Sequence, residues 1–227
     1  VEYVYPPYAE KNNLVKLYSY LTHRIRSVDT NHIIFFQPVL GGNFEDLFYT
    51  GFDNNPVGGN SVFSYHVYCP VFQADIHHTH PNIISYGICK LDNLEFLKLR
   101  YNDTLKLQSA GFLTEFGAYF EYSKYPVELM RNVFDMLDLH GHSWTYWAGF
   151  PDNKTLLREL SRTYALYVGG KVIDTTFNSE LNEYYLKYTS NGNPTIIYIN
   201  RNIRYPKGIN ISYSDCSKII LSKDLQY

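Results

Sequence analysis

Segments typical of buried strands alternate with amphipathic segments typical of helices along most of the chain. This alternation predicts parallel strands joined by right-handed crossovers, because the chain must be carried back before the next parallel strand can start. An open doubly wound sheet and a (β/α) barrel both fit, but no glycine-rich phosphate-binding motif follows a strand, which disfavours a dinucleotide-binding sheet. The predicted strands are 32–38, 61–70, 111–117 and 142–149, and the predicted helices are 13–28, 93–111, 125–141 and 153–170.

From Val172 onward, short β-type runs follow one another without a helix between them, separated by Asn, Gly, Pro and Asp. This pattern predicts an antiparallel, sandwich-like module. We therefore divide the chain into residues 1–168, part of a barrel, and residues 169–227, a β-sandwich-like domain that we expect to be incomplete. The β-type runs are 172–178, 183–189, 194–200, 209–214 and 218–223.

The number of predicted strands limits what the first domain can be. A closed (β/α)8 barrel needs eight strands and about 250 residues, whereas four predicted strands precede the β-rich module. Half a barrel would expose two strand edges and an open core, which natural proteins avoid. We therefore expect residues 1–168 to be the C-terminal half of a TIM barrel whose N-terminal half is missing from this chain.

The composition argues against several kinds of partner. The formal net charge is −2 and no block of Lys or Arg occurs, so a nucleic-acid surface is not expected. No apolar run reaches the roughly 18 residues that a transmembrane helix needs. We predict no cofactor.

Cysteines and glycosylation sequons give an expectation for the compartment. Cys69 and Cys89 could close one loop by a disulfide in an oxidising environment. Sequons begin at Asn102, Asn153 and Asn210 and would accept glycans on the secretory route. We expect the protein to be secreted or to occupy a luminal compartment such as the lysosome.

One acidic residue, Glu115, stands inside the apolar strand GFLTEFG. A carboxylate among Phe112, Leu113 and Phe116 must lose water, and an unpaired buried charge costs several kcal/mol. Such a residue is either paired, protonated or used in chemistry. A strand-end Glu that reaches solvent or an Arg is the simpler interpretation, and only its surroundings can decide between the two.

Three segments at the predicted strand ends resemble the last strands of glycoside hydrolase family 5, the cellulase-type barrels. They are YHVYCP at 65–70, LTEFG at 113–117 and SWTYWAG at 143–149. The chain is more similar to the endoglycoceramidases of that family, retaining enzymes that release the intact glycan from glycosphingolipids. The segment 13–38 resembles their helix and fifth strand, and 160–170 resembles the segment that leads into their C-terminal β domain.

The resemblance implies a role for several of these residues. Glu115 matches the nucleophile of a retaining glycosidase, and His66 and Tyr68 match the His-x-Tyr pair beside it. Trp147 matches an aromatic platform for a sugar ring, with Trp144 as the competing candidate. Without the resemblance, an interior histidine and core aromatics would explain the same residues.

The chain also departs from the family pattern. Gln37 stands where these enzymes commonly carry a Glu before a proline, and we include it among the substrate-binding candidates. The general acid/base should be a Glu in an Asn-Glu-Pro motif, which does not occur here. Glu2 and Glu10 do not fit that motif, so we expect the acid/base to lie upstream. Glu45 and Asp46 could substitute, but we expect them to be solvated loop charges.

The histidine-rich segment DIHHTH, residues 75–80, raises the question of a metal site. Zinc sites use four ligands at constrained spacings, and this segment with the nearby cysteines fits none of the common patterns. We therefore predict no metal site.

Two functions from different classes follow. The first is a retaining β-glycosidase of endoglycoceramidase type, acting on a glycosphingolipid or oligosaccharide, with a cellulase-type β-glucan hydrolase as the alternative within that class. The second is a truncated, non-catalytic protein that binds a glycan or glycolipid through Trp147, Trp144 and Tyr68.

Overall fold

Four parallel strands form the central sheet of the first part of the protein. A computed structural model describes residues 6–39, 49–69, 82–117, 124–147, 153–214 and 220. Within these residues the sheet has strands paired in chain order: β1 (Ile34–Phe36), β2 (Ser61–Val67), β3 (Ala110–Phe116) and β4 (Ser143–Trp144). All three pairings are parallel, so the predicted α/β architecture is confirmed. Closure of the sheet into a barrel stays a prediction.

The helices that connect and flank these strands begin and end as follows: α1 (Pro6–Ala9), a π-helical turn (Glu10–Leu14), α2 (Val15–Arg26), α3 (Ile83–Leu107) and α4 (Lys124–His140). The predicted helices 13–28 and 125–141 correspond to α2 and α4. The prediction that the middle helix begins at residue 93 was wrong, because α3 begins at Ile83. The Asn82 side chain accepts from the Ile84 and Ser85 amides, and Ser85 Oγ accepts from the Asn82 amide, a capping box that starts the helix early.

Aromatic side chains from the sheet and from the segment before β2 pack together in the core of the first unit. Phe36, Phe52 and Phe63 are fully buried, and the Phe36 ring lies 5.9 Å from that of Phe52 and 5.4 Å from that of Phe63. Contacts between large rings at these separations add to the free energy gained from burying their area. β2 therefore has the burial that its continuous apolar run indicated. The prediction was wrong for β1, whose outer position Phe35 is 49% exposed, so that this strand is buried on one face only.

A buried carboxylate holds the start of the chain to the segment that follows β1. Glu10 accepts hydrogen bonds from the Val39 amide (3.0 Å), the Thr50 hydroxyl (2.6 Å) and the Gly51 amide (2.6 Å). Gly51 also lies so close to α1 that a Cβ would sit 1.8 Å from the Pro7 carbonyl oxygen. The role of Glu10 in this contact is structural.

The chain divides into two compact units, Val1–Gly149 and Phe150–Tyr227. The second contains α5 (Lys154–Leu160), an antiparallel pair of β5 (Tyr164–Tyr167) with β8 (Ile196–Tyr198), and an antiparallel hairpin of β6 (Gly170–Asn178) with β7 (Glu183–Ser190). A C-terminal β domain is therefore confirmed. The predicted boundary after residue 168 falls between β5 and β6, and as a domain boundary it stays a prediction.

Two predictions in this unit were wrong. The predicted helix 153–170 ends at Leu160, because residues 164–167 pair with β8 and form a strand instead. The run 209–214 has no strand, although its alternating apolar residues had predicted one. The run 218–223 lies outside the described residues apart from Ile220, which is not in a strand.

The core of the second unit is a phenylalanine between two arginines. Phe177 is buried, and the guanidinium carbons of Arg162 and Arg204 lie 5.0 and 5.2 Å from its ring centroid. Arg204 donates to the carbonyl oxygens of Ser179 (2.8 Å) and Ser161 (2.9 Å). These contacts tie the β6–β7 hairpin to the segments on either side of it.

Replacing Phe177 by Ala should destabilise the second unit by about 3–5 kcal/mol, because the change leaves a cavity under two buried guanidinium groups. The measurement is hydrogen exchange of the β6–β7 amides, which should speed up strongly. Thr176→Ala, at the exposed neighbouring position, is the matched control. Equal exchange in the two variants would contradict this account of the core.

In the first unit, a buried histidine precedes β4. His142 Nδ1 lies 2.6 Å from the Tyr65 hydroxyl, and Nε2 lies 3.4 Å from the Thr104 hydroxyl. The ring fills the space over Gly111, where a Cβ would lie 2.4 Å from it. Burial, with a smaller contribution from the charge of His140, lowers the pKa of His142 from 6.5 to about 4.

We expect this histidine to make stability depend on pH. The unfolded chain protonates it near pH 6.5, whereas the folded protein keeps it neutral down to about pH 4. The free energy of unfolding should therefore be unaffected by this residue above pH 6.5, and should fall by up to about 3 kcal/mol as the pH drops from 6.5 to 4.

Urea unfolding at several pH values measures this effect. Tryptophan fluorescence reports on the first unit, because both tryptophans of the chain, Trp144 and Trp147, belong to it. His142→Gln should reduce the slope over this pH range. His66 and His140, whose pKa values burial also lowers, add to the loss of stability in acid, whereas Asp103, whose pKa burial raises to about 6, opposes that loss. An unchanged slope in the variant would exclude His142 as the titrating group.

Candidate active site

The carboxyl ends of β2 and β3 bring three of the predicted site residues together. His66 on β2 is the register partner of Glu115 on β3, and Tyr68 lies just beyond the end of β2. The Tyr68 hydroxyl donates to Glu115 Oε2 at 2.9 Å, and His66 Nδ1 lies 3.1 Å from the same oxygen. Among the described residues, none hydrogen-bonds to the second oxygen, Oε1.

An irregularity in the strand pairing aims the carboxylate. Tyr65 pairs with Leu113 and His66 with Glu115, so Thr114 is an extra residue on β3. The Thr114 hydroxyl donates to the Tyr65 carbonyl oxygen at 3.1 Å and so holds the irregularity in place. A bulge of this kind redirects the side chains that follow it. Sequence periodicity does not reveal it, and the inference from the sequence missed it.

Both partners of Glu115 are neutral at neutral pH. The pKa of Tyr68 is raised by burial first and then by the hydrogen bond to Glu115, so the phenol remains a donor. The pKa of His66 is lowered by burial, and the negative charge of Glu115 only partly offsets this. We therefore assign the His66 contact as a hydrogen bond from a neutral imidazole with its proton on Nδ1, not as an ion pair.

The two tryptophans occupy different surroundings. The Trp147 amide donates to the Phe116 carbonyl oxygen at 2.9 Å, directly beyond Glu115, and the side chain is 52% exposed. Trp144 packs against Phe134, with ring centroids 4.7 Å apart, and against Phe116 at 5.8 Å. The Trp147 side chain is thus half exposed on the strand next to Glu115, whereas the Trp144 ring packs against neighbouring aromatic side chains.

A glycine permits this close approach of the last two strands. Gly117 has φ +113°, and a Cβ there would lie 2.2 Å from the Tyr146 ring and 2.7 Å from the Trp147 carbonyl oxygen. It forms a parallel bridge with Trp147. The glycine that ends the strand in the sequence is the signal that could have indicated this approach.

Gln37 follows β1 and is anchored through its backbone. Its carbonyl oxygen accepts a hydrogen bond from the Tyr18 hydroxyl at 2.9 Å. Its backbone amide donates to the Tyr18 hydroxyl oxygen at 3.3 Å. Among the described residues no contact joins its side chain to Glu115. The roles predicted for Gln37, His66, Tyr68, Glu115 and the two tryptophans stay predictions.

The predicted disulfide between Cys69 and Cys89 is present, with both residues buried and their Cα atoms 5.6 Å apart. It joins the residue after Tyr68 to the second turn of α3. The histidine-rich segment 75–80, for which no metal site is predicted, and the loop charges Glu45 and Asp46 lie outside the described residues. Within the described part of the chain, no group of three metal-ligating side chains occurs, and no helix is long and apolar enough to span a membrane.

Comparison with known proteins places this geometry in a family. The cellulase family (glycosyl hydrolase family 5) matches residues 5–153, and the glycoside hydrolase family 5 C-terminal domain matches residues 162–227. An endoglycoceramidase of Cyanea nozakii is 27% identical over 91% of this chain, and one of Hydra vulgaris is 28% identical over 96%. The aligned region is 42% of each of those proteins, so the chain spans less than half of their length.

The fold is also similar to part of a solved structure, endo-glycoceramidase II from Rhodococcus sp. Its lactosyl-enzyme intermediate superposes with a TM-score of 0.69 at 16% identity, covering 87% of this chain and 46% of that one. Its ganglioside GM3 complex gives 0.68 at 18% identity, covering 86% and 46%. Because the match to the cellulase family covers residues 5–153, well over half of the sequence, the chain belongs to glycoside hydrolase family 5.

Proposed function

We propose that the chain is the C-terminal part of a retaining β-glycosidase of endoglycoceramidase type, which hydrolyses the bond between glycan and ceramide in glycosphingolipids. The observation that carries the proposal is the Glu115 carboxylate, held through Oε2 by Tyr68 and His66 at the carboxyl edge of a parallel sheet. Barrel enzymes place their chemistry at this edge. Membership of glycoside hydrolase family 5 supports a glycosidase, and the names of the two endoglycoceramidase relatives support the substrate class.

In this mechanism Glu115 acts as the nucleophile. One carboxylate oxygen attacks the anomeric carbon while the bond to the ceramide oxygen breaks, giving a glycosyl-enzyme ester. Water then attacks the same carbon and gives one proton to the acid/base, and the carboxylate leaves with its electron pair. Two displacements at one carbon retain the anomeric configuration.

Tyr68 and His66 position the nucleophile. Both hydrogen bonds end on Oε2, which leaves Oε1 as the oxygen best placed to attack. Because both donors are neutral, they orient the carboxylate without cancelling the negative charge that stabilises the oxocarbenium-like transition state. Trp147 offers its exposed face to a sugar ring beside them, with Gln37 and Trp144 as further candidates for substrate contact.

The general acid/base belongs, in this proposal, to a segment upstream of Val1. Glu10 is the acidic residue nearest the start of the described chain, and its carboxylate is already committed to Val39, Thr50 and Gly51. Loss of proton transfer to the leaving oxygen would slow the reaction by about 10²–10⁴-fold. This chain alone should therefore be weakly active at most on natural substrates.

The proposal includes a secreted or luminal location. The Cys69–Cys89 disulfide supports an oxidising compartment, since structural disulfides are rare in the cytosol. Isolation of the protein from its native source with the disulfide reduced would contradict this part of the proposal.

A 2,4-dinitrophenyl 2-deoxy-2-fluoroglycoside should label Glu115 in this chain. Dinitrophenolate leaves without protonation, so the missing acid is not needed, and the fluorine slows release of the sugar enough for the ester to be trapped. Peptide mass spectrometry locates the label. Glu115→Gln should abolish labelling, whereas Glu183→Gln, an exposed glutamate on β7, should label at the normal rate.

Two further readouts separate the alternatives. Azide should accelerate turnover of the non-fluorinated dinitrophenyl glycoside, because it attacks the ester without a general base. In a full-length protein with its upstream segment, hydrolysis of a ganglioside but not of a cello-oligosaccharide supports the endoglycoceramidase type, and the reverse supports a β-glucan hydrolase. Saturable glycan binding with no label on Glu115 would favour the non-catalytic protein.

Tyr68→Phe should slow labelling of Glu115 by about 10- to 100-fold, since one hydrogen bond to a charged acceptor is worth about 1.5–3 kcal/mol. The inactivation rate constant at saturating fluoroglycoside measures the effect. Tyr20→Phe on α2, which removes a hydroxyl from an exposed side chain, is the control and should react normally. Equal rates for the two variants would show that the Tyr68 hydroxyl does not assist the nucleophile.

A further inference from the structure

Thr145, which directly follows β4, bonds to β3 through both its backbone and its side chain. Its amide donates to the Leu113 carbonyl oxygen at 2.9 Å, and its hydroxyl donates to the Thr114 carbonyl oxygen at 2.6 Å. In a regular strand, the carbonyl groups of consecutive residues point to opposite sides of the strand. Because Thr145 bonds to two consecutive carbonyl groups, the Thr114 carbonyl group must be turned toward the segment that continues β4.

The backbone hydrogen bonds of that segment show the extra residue of β3 from its other side. The amides of Thr145 and Trp147 are two residues apart, but the carbonyl groups that accept from them, those of Leu113 and Phe116, are three residues apart. Thr114 is therefore unmatched toward β4 as well as toward β2. An unmatched residue interrupts the hydrogen-bond ladder, so its backbone groups need other partners.

Two threonine hydroxyls supply hydrogen bonds at this interruption. The Thr114 hydroxyl donates to the Tyr65 carbonyl oxygen on β2 at 3.1 Å, and the Thr145 hydroxyl donates to the Thr114 carbonyl oxygen. Thr114 is thus held to β2 by its side chain and to the segment after β4 by its carbonyl group. The Thr114 carbonyl group and the Glu115 amide belong to one planar peptide unit. The bond from Thr145 therefore also fixes the plane that leads into Glu115.

The orientation of this peptide unit determines where the carboxylate lies. The side chains of Leu113 and Phe116 are buried, so the core anchors β3 on either side of the interruption. Between these anchors the peptide unit before Glu115 can still rotate through the two soft dihedrals that flank it. Such a rotation would carry the carboxylate away from Tyr68 and His66, which lie 2.9 and 3.1 Å from Oε2.

We propose that Thr145 is a positioning residue for Glu115, acting through the Thr114 carbonyl group that its hydroxyl holds. This role rests on the proposed function, because it concerns the rate at which Glu115 attacks. The alternative is that the hydroxyl only satisfies a backbone carbonyl group. That alternative predicts a change in stability without a change in the reactivity of Glu115.

Labelling of Glu115 by the 2,4-dinitrophenyl 2-deoxy-2-fluoroglycoside tests the proposal. Thr145→Val keeps the shape of the side chain and removes the hydroxyl, so the labelling rate constant at saturating glycoside should fall by about 2- to 10-fold, the value of one neutral hydrogen bond. The glycoside concentration that gives half the maximal rate should stay the same, because the groups proposed to contact the sugar are unchanged. Thr145→Ser keeps the hydroxyl and should restore the rate.

The matched control is Thr189→Val, which makes the same chemical change at an exposed position of β7 and should label at the normal rate. A cooperative thermal transition in tryptophan fluorescence shows that each variant is folded. Equal rate constants for the wild type and Thr145→Val would overturn the proposal. A rate constant no higher in Thr145→Ser than in Thr145→Val would also overturn it.

Hydrogen exchange distinguishes failure of this proposal from failure of the proposed function, because it needs no catalysis. Thr145→Val should speed exchange of the Trp147 amide, which bonds to Phe116 beyond the extra residue, whereas Thr145→Ser should not. Faster exchange in Thr145→Val, with no label on the wild type, would contradict the glycosidase alone. A labelled wild type, with exchange and rate unchanged in Thr145→Val, would contradict the positioning role alone. Absence of labelling together with unchanged exchange would contradict both.

Discussion

The register between β2 and β3 decides where the carboxylate points. In a regular strand Leu113 and Glu115 would face the same side, and Glu115 would follow the fully buried Leu113 into the core. The extra residue at Thr114 reverses the alternation, so that Phe116 takes the core position and Glu115 faces His66 and Tyr68. A carboxylate within an apolar strand is thereby accommodated without an ion pair. The one extra residue on β3 therefore keeps the Glu115 carboxylate out of the apolar core.

The two partners of Glu115 also explain how its charge is kept. A cationic partner would stabilise the carboxylate, but it would cancel the negative charge that the oxocarbenium-like sugar of the proposed mechanism requires. Burial keeps both partners uncharged. It raises the pKa of the Tyr68 phenol and lowers the pKa of the His66 imidazole. Both groups remain neutral donors, and Glu115 carries the only charge in the contact.

Alternation of apolar runs predicted the parallel sheet, its four strand positions and the helices α2 and α4, because these depend on periodicity that is local in sequence. The early start of α3 depends on one side-chain cap at Asn82, and the change from helix to strand after Leu160 depends on pairing with a strand over thirty residues away. Neither feature can be predicted from the hydrophobic periodicity of a short stretch of sequence. The site followed the same rule. Glu115 was indicated by its position in an apolar strand, and His66 and Tyr68 by the family resemblance, whereas the bulge that brings the three together arises only from tertiary pairing.

The disulfide ties the start of α3 to the residue that follows Tyr68. It closes a loop of 20 residues, which restricts the unfolded chain by about 3 kcal/mol in the entropic account, but its position matters more than its energy. Cys69 is bonded to Tyr68 through the backbone, so movement of the α3 start would move the hydroxyl that holds Glu115.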